Sequence, residues 1–86
     1  MEAEKKKVGI ISHYYNKINV AIVDLEDTLS KGDMIEIAGP NTHIQQAVDS
    51  MQIEHKDVAV AKKGQSIGLK VSDTVREKDV VYKVME

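Results

Sequence analysis

The sequence contains no cysteine, no tryptophan and no phenylalanine, and its single proline is Pro40. Without cysteine there is neither a disulfide framework nor a thiolate metal site. That usage suits a reducing compartment, and a cytoplasmic location is expected. Aromatic residues are limited to Tyr14, Tyr15 and Tyr82, so the core has to be built from aliphatic side chains. No apolar run approaches the ~18 residues of a membrane-spanning helix, and the charged opening from Met1 to Lys7 lacks the apolar stretch of a secretory signal. No membrane association is expected. Charge of one sign is also missing: twelve Lys and Arg face fourteen Asp and Glu, for a net charge of −2. Domains held to nucleic acid by charge are usually strongly basic, so DNA is not an expected partner.

What is present is ordinary globular material. The 86 residues are 42% hydrophobic and 30% charged, enough for one core and no second one. Residues 1–7 are expected to form a charged, flexible N-terminus, and residues 8–86 a single domain. β-Branched side chains dominate the apolar set, and they pack best on pleated sheet.

Strand signals recur along the chain. Val8, Ile10, Ser12 and Tyr14 alternate with Gly9, Ile11, His13 and Tyr15. After a turn at Tyr15-Asn16-Lys17, Ile18, Val20 and Ile22 alternate with Asn19, Ala21 and Val23; both faces of this strand are fairly apolar, so one is available to another element or chain. Lys31-Gly32-Asp33 turns the chain into Met34–Ala38, which Gly39-Pro40-Asn41 ends. The segment from Thr42 to Ile53 fits a helical face or a bulged strand, and its setting among short strands favours the strand. His55 to Lys63 reads as a compact turn, Ser66 to Val71 as a strand, Asp73 to Arg76 as one helical turn, and Val80 to Met85 as the last strand. Short strands joined by polar turns predict an all-β fold: a closed or nearly closed antiparallel β-barrel of six to seven strands. Gly32 and Gly64 suit tight turns, while Gly68, inside a strand, predicts a bulge or a close backbone approach.

The ordered set Val8-Gly9-Ile10, Leu29-x-Lys31-Gly32-Asp33-x-Ile35-x-Ile37, Val48-x-Ser50-Met51-x-x-x-His55 and Ala61-x-x-Gly64-x-x-Ile67-Gly68-Leu69, closed by Val75-Arg76-x-x-Asp79-Val80-Val81-Tyr82, resembles the β-barrel second domain of elongation factor Tu and its relatives. The stretch from Gly32 to Pro40 is also similar to the C-terminal barrel of the collagenase-like peptidases, whose catalytic parts lie in another domain. Both resemblances imply an accessory barrel and not an enzyme. The first implies a translation-related module that binds RNA or protein. The second implies an accessory subunit acting in trans with an enzyme of the peptidase or RNA-modification type.

The chain lacks the phosphate loop of a GTPase: Gly64-Gln-Ser-Ile-Gly68-Leu-Lys70 has the wrong spacing. His13, His43 and His55 stand far apart, without metal-ligand spacing, and Ser12, His13 and Asp24 lack the setting of a nucleophile. No catalytic residue, metal or cofactor is expected. The candidate contacts are for binding. Tyr14 and Tyr15 beside Lys17 could stack on and neutralise a single-stranded nucleotide. Lys62 and Lys63 could add positive charge. The first resemblance places Gln52 where that family has an acidic residue in its terminal-adenosine pocket, with Glu54 and His55 nearby. The acidic net charge favours a protein partner over RNA, and self-association through the second strand is a further option.

Overall fold

The structure is a computed structural model, and it describes residues 4–85. Ten strands follow one another: β1 (Glu4–Tyr15), β2 (Val20–Leu25), β3 (Leu29–Ser30), β4 (Met34–Gly39), β5 (Thr42–Ala47), β6 (Met51–Ile53), β7 (Lys56–Val58), β8 (Val60–Ala61), β9 (Ser66–Lys70) and β10 (Val80–Met85). Eight form one antiparallel sheet in the order β5-β4-β10-β1-β2-β9-β6-β7, and β3 pairs with β8 in a separate ribbon. No helix in the described residues is long and apolar enough to cross a membrane.

Laid flat, eight strands would span roughly 34 Å and expose a whole apolar face. Here the sheet curls, and β1, β2, β4, β6, β9 and β10 all contribute to one buried cluster, with Ile44 of β5 packed against it. Ile11 of β1, Val23 of β2, Ile35 and Ile37 of β4, Met51 of β6, Ile67 and Leu69 of β9 and Val81 of β10 are all essentially inaccessible. The core is aliphatic, as the missing Phe and Trp require.

The curled sheet does not close into the expected barrel. Closure needs a continuous ladder between the first and last strands, and β5 and β7 share none. The reason is length: β6 and β7 have three residues each, too few to reach along β5. Instead, the Gln46 side chain reaches from β5 to β9 and the loop after it. The Gln46 amide donates to the Lys70 carbonyl at 2.9 Å and accepts from the Ser72 amide at 2.8 Å. Just past β5, Val48 continues the β4–β5 ladder, exchanging backbone bonds with Asp33 and Gly32 at 2.8 and 2.9 Å.

Other expectations need correction too. Glu4–Lys7, read as frayed, extend β1 and pair with β10, with Lys5, Lys6 and Lys7 anchored on Glu36, Asp27 and Glu26; residues 1–3 lie outside the described residues. Simple alternation in β1 fails because of irregularities between Lys7 and Gly9 and between Ile11 and His13. These bring Val8 and Ile11, three apart, into the same core. Asp73–Arg76 makes no helical turn but an irregular loop, and Val75 is buried there. The compact turn after His55 contains β7 and β8. Thr42–Ile53, ambiguous by periodicity, is extended as favoured, and splits into β5 and β6. Gly32 and Gly64 do adopt positive φ, 94° and 90°. Gly68 makes no bulge: it sits in regular register between Ile22 and Gln52.

Candidate functional site

The strands that bury Ala21, Val23, Ile67 and Leu69 inward turn their alternate residues outward. On that outer face Tyr15 stands opposite Val20, Val20 opposite Lys70, Ile22 opposite Gly68, and Gly68 opposite Gln52. This row forms the floor of a groove of about 520 Å³, lined by Tyr15, Ile18, Val20, Ile22, Gln52, Glu54, His55, Ser66, Ile67 and Gly68. The size lies within the usual range of ligand sites.

Two hairpins wall the groove. One is the β1–β2 turn, where Tyr15 and Ile18 are 48% and 60% exposed. Such exposure of two large apolar side chains on one turn leaves a patch without a cover. The turn is braced by the Tyr14 hydroxyl on the Asn19 side-chain oxygen at 3.1 Å and by the Val71 amide on the Asn19 carbonyl at 2.9 Å. The other wall is the β6–β7 hairpin, whose two turn residues, Glu54 and His55, have φ of 51° and 67°. Two-residue turns with both positions left-handed normally use Asn and Gly. Each side chain with a Cβ costs roughly 1–2 kcal/mol in this conformation.

The polar groups are few. The Gln52 amide donates to Asp57 Oδ1 at 3.1 Å. Ser66 donates to Asp24 at 2.7 Å. Neither forms a catalytic constellation. Ser12 donates to the Ile22 carbonyl at 3.3 Å, and His13 faces Glu77 at 3.5 Å, so Ser12, His13 and Asp24 do not converge. Among the described residues no three His, Cys, Asp or Glu side chains gather to hold a metal.

Of the sequence-selected residues, Tyr15, Gln52 and His55 meet at the groove. Lys17 lies beside it, on a shallower hollow of about 300 Å³ around the turn that also touches His13 and Tyr14. The tyrosine pair is divided between the two faces: Tyr14 packs against the core, and Tyr15 packs edge-on to His13 with ring centroids 4.4 Å apart. Lys62 and Lys63 are elsewhere. Their turn is fixed by Gly64 and Gln65 to Leu25 at 3.0 and 2.9 Å, at the far end of β2 from Val20. Ile18, Val20, Ile22, Ser66 and Gly68 were missed as site residues. The available signals were a strand apolar on both faces and a glycine inside a strand.

A second polar cluster lies on the outer face of β4. Glu36 is 3% exposed, and its carboxylate receives Lys5 at 2.6 Å, Gln45 at 2.9 Å and His43 at 3.3 Å. The hydrogen bond from Lys5, then that from Gln45, pull its pKa down to about 2 against the opposing effect of burial.

Comparison with known proteins places this fold. No family model matches the chain. The chain is 43% identical over 83 residues to an uncharacterised protease of Methanocaldococcus jannaschii, a match covering 95% of this chain and 20% of that protein. It is 37% identical over 82 residues to a collagenase of Porphyromonas gingivalis, covering 93% of this chain and 23% of the relative. It is homologous to a domain-sized segment of these proteases. In fold it matches the crystal structure of the C-terminal domain of a Geobacillus thermoleovorans protein assigned to the U32 peptidases, with a TM-score of 0.85, 20% identity and 91% of each chain covered. A selenomethionine variant of that domain gives a TM-score of 0.84 at 19% identity, over 88% of this chain and 96% of that one. The chain thus spans about a fifth of the curated relatives' length. The kinship with translation elongation factors, expected from the motif order, is overturned: the relatives that match almost the whole chain are proteases. The similarity to collagenase-like peptidases stands.

Proposed function

We propose that this domain is a non-catalytic accessory module of peptidase-type machinery, contributing binding while a separate catalytic part does the chemistry. One observation carries the reading. Almost the whole chain aligns with a segment that makes up only about a fifth of proteins named protease or collagenase. A segment of that size leaves four-fifths of each relative to hold the catalytic centre. The side chains here agree with that division. The groove is lined by apolar side chains together with the Gln52 amide, Glu54 and His55, and its one serine is committed to an aspartate. Nothing in it resembles an activated nucleophile with a base and an orienting partner.

The test is reconstitution. The purified chain is mixed with a peptidase-type catalytic chain from the same organism, and the complex and peptide turnover are measured with and without it. A stable complex, with turnover changed severalfold through KM, is the expected result. Two species that migrate independently with unaltered turnover would sink the reading.

A further inference from the structure

Three irregularities of this small sheet meet at one place. Gly68 leaves a gap in the floor of the groove, yet the backbone does not require a glycine there. Its φ is not left-handed, and an added Cβ would find its nearest neighbour, Val20 Cγ1, at 3.4 Å, an ordinary contact. A glycine in a strand interior is less stable than alanine there, so the vacancy weakens the sheet without serving its geometry. Glu54 and His55 hold a strained turn on the rim. Ile18 and Tyr15, on the opposite wall, leave apolar surface open to water. Strain and open apolar surface gathered around one concavity indicate a binding site.

Charge selects the occupant. Along the outer face, Lys70 lies two residues beyond Gly68 in β9, and Lys17 lies on the hairpin at that same end. Glu54 lies two residues beyond Gln52, the partner of Gly68. Because β6 and β9 are antiparallel, Lys70 and Glu54 fall at opposite ends of the groove. Among the described residues neither makes an ion pair. The span is roughly four residues of extended chain, about 13 Å. A polyanion would meet one basic end and one acidic end. An extended polypeptide with an apolar centre and oppositely charged flanks would find a complement at each position.

We propose that the groove receives one large apolar side chain of an extended polypeptide segment, seated over Gly68, with an acidic residue of that segment towards Lys70 and a basic residue towards Glu54. This rests on the reading of the domain as a binding module. It adds the class of ligand: the polypeptide that the machinery acts upon, as distinct from the catalytic part itself.

The probe is a fluorescent, end-blocked pentapeptide, Asp-Ala-Phe-Ala-Lys, titrated against the full chain by anisotropy, with amide shifts followed by NMR. Binding should move the resonances of Ile22, Gln52, Glu54 and Gly68. Replacing the central Phe of the peptide by Gly should weaken affinity about tenfold or more. Peptides with two Lys or two Asp flanks should bind more weakly than the mixed one, by a smaller, salt-sensitive factor. Gly68→Val, which fills the floor, and the smaller Gly68→Ala should each reduce affinity while circular dichroism stays native. Equal affinity of all four peptides, or undiminished binding by a folded Gly68→Val variant, overturns the proposal. So does a single-stranded RNA oligonucleotide that displaces the peptide or moves the same resonances more strongly. Gly68→Val should also still bind the catalytic chain. Loss of that complex alone would make the groove the interdomain contact and refute the ligand assigned here, while leaving the accessory role intact. Peptide binding without any complex would do the reverse.

Discussion

The carboxylate of Asp79 lies against the α-carbon of Gly39, so close that a Cβ built there would be 2.7 Å from Asp79 Cγ. The contact joins the end of β4 to the loop before β10. In that loop the same carboxylate accepts from the Arg76 amide at 2.9 Å, and the Asp79 carbonyl accepts from Ile11 at 2.8 Å. Asp79 is itself 3% exposed, so it has little room to retreat. Gly39→Ala should therefore displace the loop that buries Val75 and cost about 2 kcal/mol. For a domain of this size that lowers Tm by roughly 10 °C. An unchanged thermal midpoint would show that the carboxylate can move aside freely.

Glu36 sets an acid limit on stability. Its folded-state pKa of about 2 lies below the ordinary 4.5, so the native state favours the ionised form. The contribution is complete above the unfolded pKa and is lost as pH falls from about 5 towards 2. With Lys5 half-exposed, solvent screening reduces its size to about 1–2 kcal/mol. Urea midpoints of the wild-type chain should fall through this range. Those of Glu36→Gln should start lower at pH 7 and fall less. Parallel curves for the two proteins would refute the assignment to Glu36.

The seam bridged by Gln46 makes a separate prediction. Its side-chain amide replaces two ladder bonds, one to the Lys70 carbonyl and one from the Ser72 amide. Gln46→Met keeps the length of the side chain and removes both bonds. A cost of about 1–2 kcal/mol is expected, together with faster hydrogen exchange at the Ser72 amide. Exchange that stays slow there would mean the seam is held by other contacts.

The same seam shows what could and could not be read in the sequence. Met34–Ala38, Ser66–Lys70 and Val80–Met85 were legible because alternation in two residues is local. Closure was not, because it depends on how far β6 and β7 extend beside a strand remote in sequence. Val8 and Ile11 broke the alternation at two bulges, which no pattern of side chains announces. At the site, Tyr15, Gln52 and His55 were marked partly through a resemblance to translation factors that the protease relatives overturn, yet the fold brings them to one groove. Ile22 carried a signal, the strand apolar on both faces, that pointed to a partner without locating it. Gly68 was noticed as a bulge or a close backbone approach, and the regular register removes only the bulge; a glycine that empties a floor and one that bends a strand look alike in sequence. Lys62 and Lys63 stood near His55 in sequence, but β8 and the following turn carry them to the far end of β2.

The strained hairpin gives the last prediction. Glu54 and His55 occupy left-handed positions that Asn and Gly fill at least cost. Replacing the pair by Asn-Gly should stabilise the fold by about 1–2 kcal/mol, measured by urea denaturation. A turn kept only for folding would gain from the exchange and lose nothing. Because Glu54 and His55 form one wall of the groove, the double variant should instead bind the mixed-charge pentapeptide severalfold more weakly, and it should no longer prefer the peptide with one Lys flank to the one with two Asp flanks. Stability gained with affinity and charge preference unchanged would remove Glu54 from the site and leave the strain without a purpose.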